Sequence, residues 1–165
     1  MATDRLWAPW RLEYIQTMKE ESGCPFCRIG DSVVGNDAAN LVLYRGRHHF
    51  VVLNKYPYNS GHLMIVSNVH TGDLEKLSKE SHHEMIHLMA ASMEIAKAAI
   101  GAEGFNCGLN VGRVAGAGIL DHVHFHVVPR WNGDTNFMPV LADTKAMPEY
   151  LEKTYNKLVG GFKKL

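Results

Sequence analysis

The chain has 165 residues, with 17 basic and 17 acidic side chains and 46% apolar residues. That length suits one compact domain, and the apolar share can fill a core, which excludes a disordered chain. A formal net charge of zero gives no general attraction to nucleic acid or anionic membrane, so any polyanion must be met at a local site. Histidine is the anomaly, with 10 copies.

The amino terminus carries no secretory apolar segment, and no later run approaches membrane-spanning length. With three cysteines and no signal peptide, a soluble, cytoplasmic, single-domain protein is expected. Residues 1–23 read as a tryptophan-rich lead-in. It has a short helix from Leu12 to Lys19, with Trp7 and Trp10 capping the core or a partner surface. A knuckle follows from Cys24 to Gly30. Leu41–Tyr44 and Phe50–Leu53 read as short strands around a turn at Gly46, and His62–Val66 as a third strand after the loop Tyr56–Gly61. Ser81-His-His-Glu84 has the form of a capping box, with Ser81 as N-cap. Behind it Ile86, Met89, Met93 and Ile100 fall near one helical face, and Gly101 is placed to end the helix. Phe105–Val111 reads as a strand, Gly112–Ile119 as a glycine-rich loop and His122–Val128 as another strand. Pro148–Val159 reads as a terminal helix with Pro148 in its first turn. Short strands in hairpins with one long helix between them predict an α+β domain on an antiparallel sheet.

The chemistry centres on Asp121-His-Val-His-Phe-His-Val-Val-Pro-Arg130. Strand side chains alternate, so His122, His124 and His126 share one face while Val123, Phe125 and Val127 share the other. Three imidazoles in strict alternation need partners, which a lone histidine finds more easily. Two functions fit. Histidines alternating on a strand can bind a catalytic metal with an open position for water. Alternatively, one is a nucleophile that attacks phosphorus while its neighbours hold the phosphate, since neutral imidazole is nucleophilic near neutral pH. The glycine-rich loop upstream favours the second, because its backbone N–H groups can approach phosphate oxygens closely. Cys24-x-x-Cys27 is half of a tetrahedral thiolate site, although a redox motif or two buried cysteines would look the same.

His122-Val-His-Phe-His-Val-Val resembles the signature of the histidine triad, or HIT, family. Asn54-Lys-Tyr-Pro-Tyr-Asn-Ser-Gly61-His62-Leu-Met-Ile-Val66 is similar to its strand–loop–Gly-His–strand segment. The resemblance spans residues 24–131, leaving 132–165 as a C-terminal extension. It implies a HIT-type α+β fold, a homodimer with sheets joined side by side, and hydrolase or transferase chemistry on nucleoside phosphates. It implies that His124 is the nucleophile attacking the α-phosphorus to form a nucleotidyl-histidine, with His126 and His62 acting on the phosphate oxygens. It also assigns Asn54 to the ribose, Asn110 to a position near the scissile phosphate, and Val52 and Met64 to the base; Gly116 and Gly118 of the glycine-rich loop are the expected backbone contacts to phosphate.

Pro129-Arg130-Trp131 resembles bacterial members that cleave diadenosine polyphosphates, which implies a nucleotide-contacting Trp131; packing at a dimer seam accounts for it equally. Phosphoramidase-type members carry serine where this chain has Ile119, preceded here by Gly118 in place of glutamine, so phosphoramidates are not the expected substrate. Zinc-bearing relatives complete the thiolate pair with histidines matching His70 and His122. The resemblance therefore implies a closed structural zinc site of Cys24, Cys27, His70 and His122. His48, His49, His82, His83 and His87 are expected at the surface or as caps, and Cys107 as a small buried hydrophobe. The first expectation is a nucleotide hydrolase or phosphorylase acting on dinucleoside polyphosphates. The alternatives are nucleotidyl transfer to sugar phosphates and a nucleotide-binding regulator with incidental catalysis. Neither nucleic acid nor membrane is an expected partner.

Overall fold

The computed structural model describes residues 23–135 and 149–165, so the helix expected at 12–19, Trp7, Trp10 and Pro148 lie outside the described residues. The elements are α1 (Pro25–Gly30), β1 (Val42–Arg45), β2 (His49–Leu53), β3 (Leu63–Ser67), α2 (Lys79–Ile100), β4 (Gly104–Leu109), β5 (His124–Arg130) and α3 (Leu151–Phe162). The five strands form one antiparallel sheet in the order β1-β2-β3-β5-β4, which is the predicted α+β architecture.

Strands β2 and β3 are buried along their whole length because both sheet faces are covered. Val51, Leu53, Leu63, Ile65 and Val127 point into a core with Leu88 of α2 and Leu158 and Phe162 of α3. Phe50, Val52, Met64 and Val66 alternate to the other face, where Phe26 of α1 packs on them. Each fully buried side chain of this kind contributes roughly 1.5–3 kcal/mol.

The long helix starts earlier than its sequence suggests. Ser78, not Ser81, is the N-cap, and its side chain accepts from the Ser81 N–H at 3.1 Å. Glu84 is thereby freed from capping and reaches the β1–β2 turn, where its carboxylate accepts from the Arg47 and His48 N–H groups at 2.8 and 2.6 Å. The helix also rotates relative to the expected face: Met85, Leu88, Ser92 and Ala96 are buried, Met89, Met93 and Ile100 flank them, and Ile86 is exposed. Gly101 ends it in the left-handed region at φ 65°, as expected. Cys107 is exposed rather than buried, because among the described residues β4 is an edge strand paired only with β5.

Ser92 is fully buried, and its hydroxyl has no hydrogen-bond partner among the described residues. Ser92→Ala is therefore expected to stabilise the fold by about 1 kcal/mol, raising the thermal midpoint by about 2–4 °C. A lower midpoint in calorimetry would contradict this.

His49 also departs from expectation: it is fully buried, with Nδ1 3.2 Å from a Glu84 carboxylate oxygen and Nε2 3.4 Å from Ser81 Oγ. Burial lowers its pKa from 6.5 and outweighs the opposing pull of Glu84. A depressed imidazole pKa favours the unfolded state once that state protonates. Its stabilising contribution is thus present above about pH 6.5 and lost as pH falls through the folded-state value. His122 and His124 share that sign. Thermal midpoints are expected to drop between pH 7 and pH 5, and His49→Gln to flatten that slope. An identical slope in the variant would remove His49 from the account.

Candidate active site and metal cluster

The register places one row of side chains across the sheet. Val42 pairs with Val52, Val52 with Met64, Met64 with His126 and His126 with Gly108. His124 lies in the next row, paired with Val66. Phe125 and Val127 face the helices, so the predicted alternation holds for the second and third histidines of the triad. His122 sits in the bend just before the strand.

Backbone partners set the proton on each ring. His124 Nδ1 is 2.7 Å from the His122 carbonyl oxygen, which can only accept; Nδ1 therefore carries the proton and Nε2 presents a lone pair. Burial lowers the His124 pKa and keeps the ring neutral. The Tyr58 N–H donates to His62 Nδ1 at 3.0 Å, so His62 holds its proton on Nε2. That nitrogen is 2.9 Å from His126 Nδ1, which accepts and leaves the His126 proton on Nε2. Tyr58 stacks on the His62 ring at 4.7 Å between centroids. The chain thus builds a bare nitrogen on His124 beside a donor on His126, with ring centroids 5.1 Å apart. Gly61 takes φ 69°, a left-handed conformation that favours glycine before His62, and a Cβ there would also push the tip of the Ile100 side chain aside.

A cavity of about 930 Å³ opens over this face. Seven of the expected site residues line it: Val52, Asn54, Met64, Asn110, Gly118, His124 and His126. His62 lies behind His126, fully buried. Gly116 ends the short helical turn Arg113–Ala115 and does not line the cavity. Trp131 packs instead against the core beneath the helices. Phe26, Arg28 and Ile29 from α1 and Tyr56 and Tyr58 from the loop also line it, none of them assigned to the site from sequence, and Leu151, Glu152, Tyr155 and Asn156 from α3 do so unannounced by any motif. The neighbouring loop is pinned by Asp134, which binds Arg130 at 2.6 and 2.8 Å and Asn59 at 2.7 Å. The Arg130 guanidinium holds the Asp134 carboxyl far below the usual carboxylate range.

Behind the triad, one ligand atom from each of Cys24, Cys27, His70 and His122 lies within 4.8 Å of the others. Cys24 Sγ is 3.3 Å from His122 Nδ1, Cys27 Sγ 3.3 Å from His70 Nδ1, and the two Nδ1 atoms 3.3 Å apart. A tetrahedron with Zn–S of about 2.3 Å and Zn–N of about 2.0–2.1 Å has edges of about 3.3–3.8 Å, so the donor set fits zinc. His122 Nε2 donates to the Ser67 carbonyl at 2.7 Å, which turns the Nδ1 lone pair toward the cluster. Phe26, between the two cysteines, packs against His122 and His124 at 5.4 and 4.9 Å between centroids. Gly72 is pressed against the Leu120 carbonyl, where any side chain would displace the approach to His122.

The family model for the HIT domain matches residues 36–133, more than half of the chain. An AP-4-A phosphorylase of Mycobacterium tuberculosis is 36% identical over 155 residues, 91% of this chain and 80% of that protein. An adenosine 5'-monophosphoramidase of Schizosaccharomyces pombe is 32% identical over 109 residues, 66% of this chain and 75% of that protein. A Zn-bound histidine triad family protein from Mycobacterium smegmatis superposes with a TM-score of 0.68 at 25% identity, covering 86% of this chain and 94% of that one. With its triad at the start of β5, its Gly-His pair before β3 and these matches, the chain belongs to the HIT family.

Proposed function

We propose that this HIT enzyme cleaves dinucleoside polyphosphates by nucleotidyl transfer through His124. The observation that carries the reading is the tautomer arrangement: an unprotonated Nε2 on His124 beside a proton-bearing Nε2 on His126. His124 Nε2 attacks the α-phosphorus, a P–N bond forms, and the P–O bond to the remaining nucleoside polyphosphate breaks with its electron pair going to that oxygen. The His126 N–H donates a hydrogen bond to the phosphate oxygens, held in that role by His62 and the Tyr58 N–H. Inorganic phosphate or water then attacks the phosphorus, the P–N bond breaks, and His124 is restored. Asn54 serves the ribose, Asn110 and Gly118 the phosphates, and Val52 and Met64 the base; Gly116 and Trp131 act from outside the cavity wall, on loop and strand-end position.

Cys24, Cys27, His70 and His122 hold zinc. When bound, the ion ties α1 to the approach to β5; four protein ligands leave no position for a reacting water. The open edge of β4, with Asn106 and Cys107 exposed, supports a homodimer joined along that strand.

Chromatography after incubation with diadenosine tetraphosphate, with and without phosphate, tests the reaction. ADP plus ATP only with phosphate is the expected result, in line with the relative named AP-4-A phosphorylase. AMP plus ATP in both conditions would assign water as acceptor, and no cleavage would remove this substrate.

A further inference from the structure

The cavity extends beyond the groups used above, and its far wall is made by the C-terminal helix. The row His126–Met64–Val52–Val42 crosses from β5 to β1, three strand spacings of about 4.8 Å each. Tyr155 of α3 donates its hydroxyl to the Val42 carbonyl at 3.0 Å, which locks α3 to the β1 edge at the end of that row. Glu152 and Asn156, one turn apart on the same helical face, are exposed and line the cavity there. Leu41 completes the wall in a left-handed conformation at φ 60°, uncommon for leucine.

We propose that α3 reads the outer edge of the nucleobase, with Asn156 holding that edge and Glu152 selecting adenine. This rests on the reading that a nucleotide lies in the cavity with its phosphate at His124. A base lying on Met64 and Val52 then directs its edge at the β1 rim. The Asn156 carboxamide offers one donor and one acceptor, which pair with the ring nitrogen and exocyclic amine of adenine and, turned over, with the ring N–H and carbonyl of hypoxanthine, so it holds the purine edge without choosing between them. The Glu152 carboxylate only accepts, so it favours an amine over the carbonyl that hypoxanthine carries at the same place.

Calorimetric affinities for AMP and IMP, in the wild type and in Glu152→Gln, test this without relying on turnover. The wild type is expected to bind AMP about tenfold tighter than IMP, and the variant, whose new amide can donate to the hypoxanthine carbonyl, to lose that preference with its thermal midpoint unchanged. Equal wild-type affinities, a preference that survives in the variant, an equal loss for both ligands, or no binding of either overturns the proposal. A preference lost as expected, in a protein that cleaves no dinucleotide, would support it while removing the assigned reaction.

Discussion

Replacing His124 with asparagine is expected to lower turnover of diadenosine tetraphosphate by roughly 10³-fold or more while leaving AMP affinity nearly unchanged. The argument is geometric. His124 is the triad ring whose Nδ1 is committed to a backbone carbonyl and whose other nitrogen carries no proton. His126 receives a hydrogen bond at Nδ1 and offers a proton; His122 offers its lone pair to the cysteine cluster. Of the three triad rings, His124 is therefore the one that presents an unprotonated nitrogen at the cavity wall. Rapid-quench kinetics paired with equilibrium binding separate the two effects. An active variant would transfer the nucleophile's role elsewhere, and a regulator without catalysis would show no wild-type turnover to lose.

Removing the metal is expected to have the second large effect. Stripping a metal-verified preparation with a chelator, or substituting Cys27→Ser, should lower the thermal midpoint by about 10 °C or more. Structural zinc contributes several kcal/mol, and each kcal/mol moves a domain of this size by about 2–4 °C. The ligands come from three separate stretches, so the ion closes two long loops at once. Activity should fall only in step with unfolding. Activity lost at an unchanged midpoint would mean that the metal acts on substrate, and an unchanged melt would remove the structural role.

The local code of the sheet was legible because alternation speaks directly to faces: His124 and His126 on one, Phe125 and Val127 on the other. The spacing of Cys24 and Cys27 announced half of a metal site, but its completion by His70 and His122 was legible only through family resemblance, since nothing in the spacing of residues 70 and 122 points to a common centre. The helix start was misread because Ser78 and Ser81 both suit a cap, and the choice was made by tertiary structure. Glu84 is drawn to the β1–β2 turn, which the capping-box pattern cannot anticipate. The same attraction buries His49, whose sequence surroundings are polar. Trp131 carries a family flavour but packs into the helix-side core, because strand alternation after Arg130 turns it away from the cavity. The contribution of α3 could not be read at all: its amphipathic pattern reports only the face it buries, not the strand edge its other face overhangs.

The metal cluster also imposes an order on biosynthesis. Cys24 and His122 are 98 positions apart in the chain. At about 5–20 residues per second, the thiolate pair leaves the ribosome roughly 5–20 s before its last partner exists. During that interval the two thiols form an incomplete chelate, open to oxidation or to a thiophilic ion of the wrong kind. The arrival of His122 then closes the cluster, with His124 following two residues later, so capture of the right ion and assembly of the triad strand fall within one step of translation.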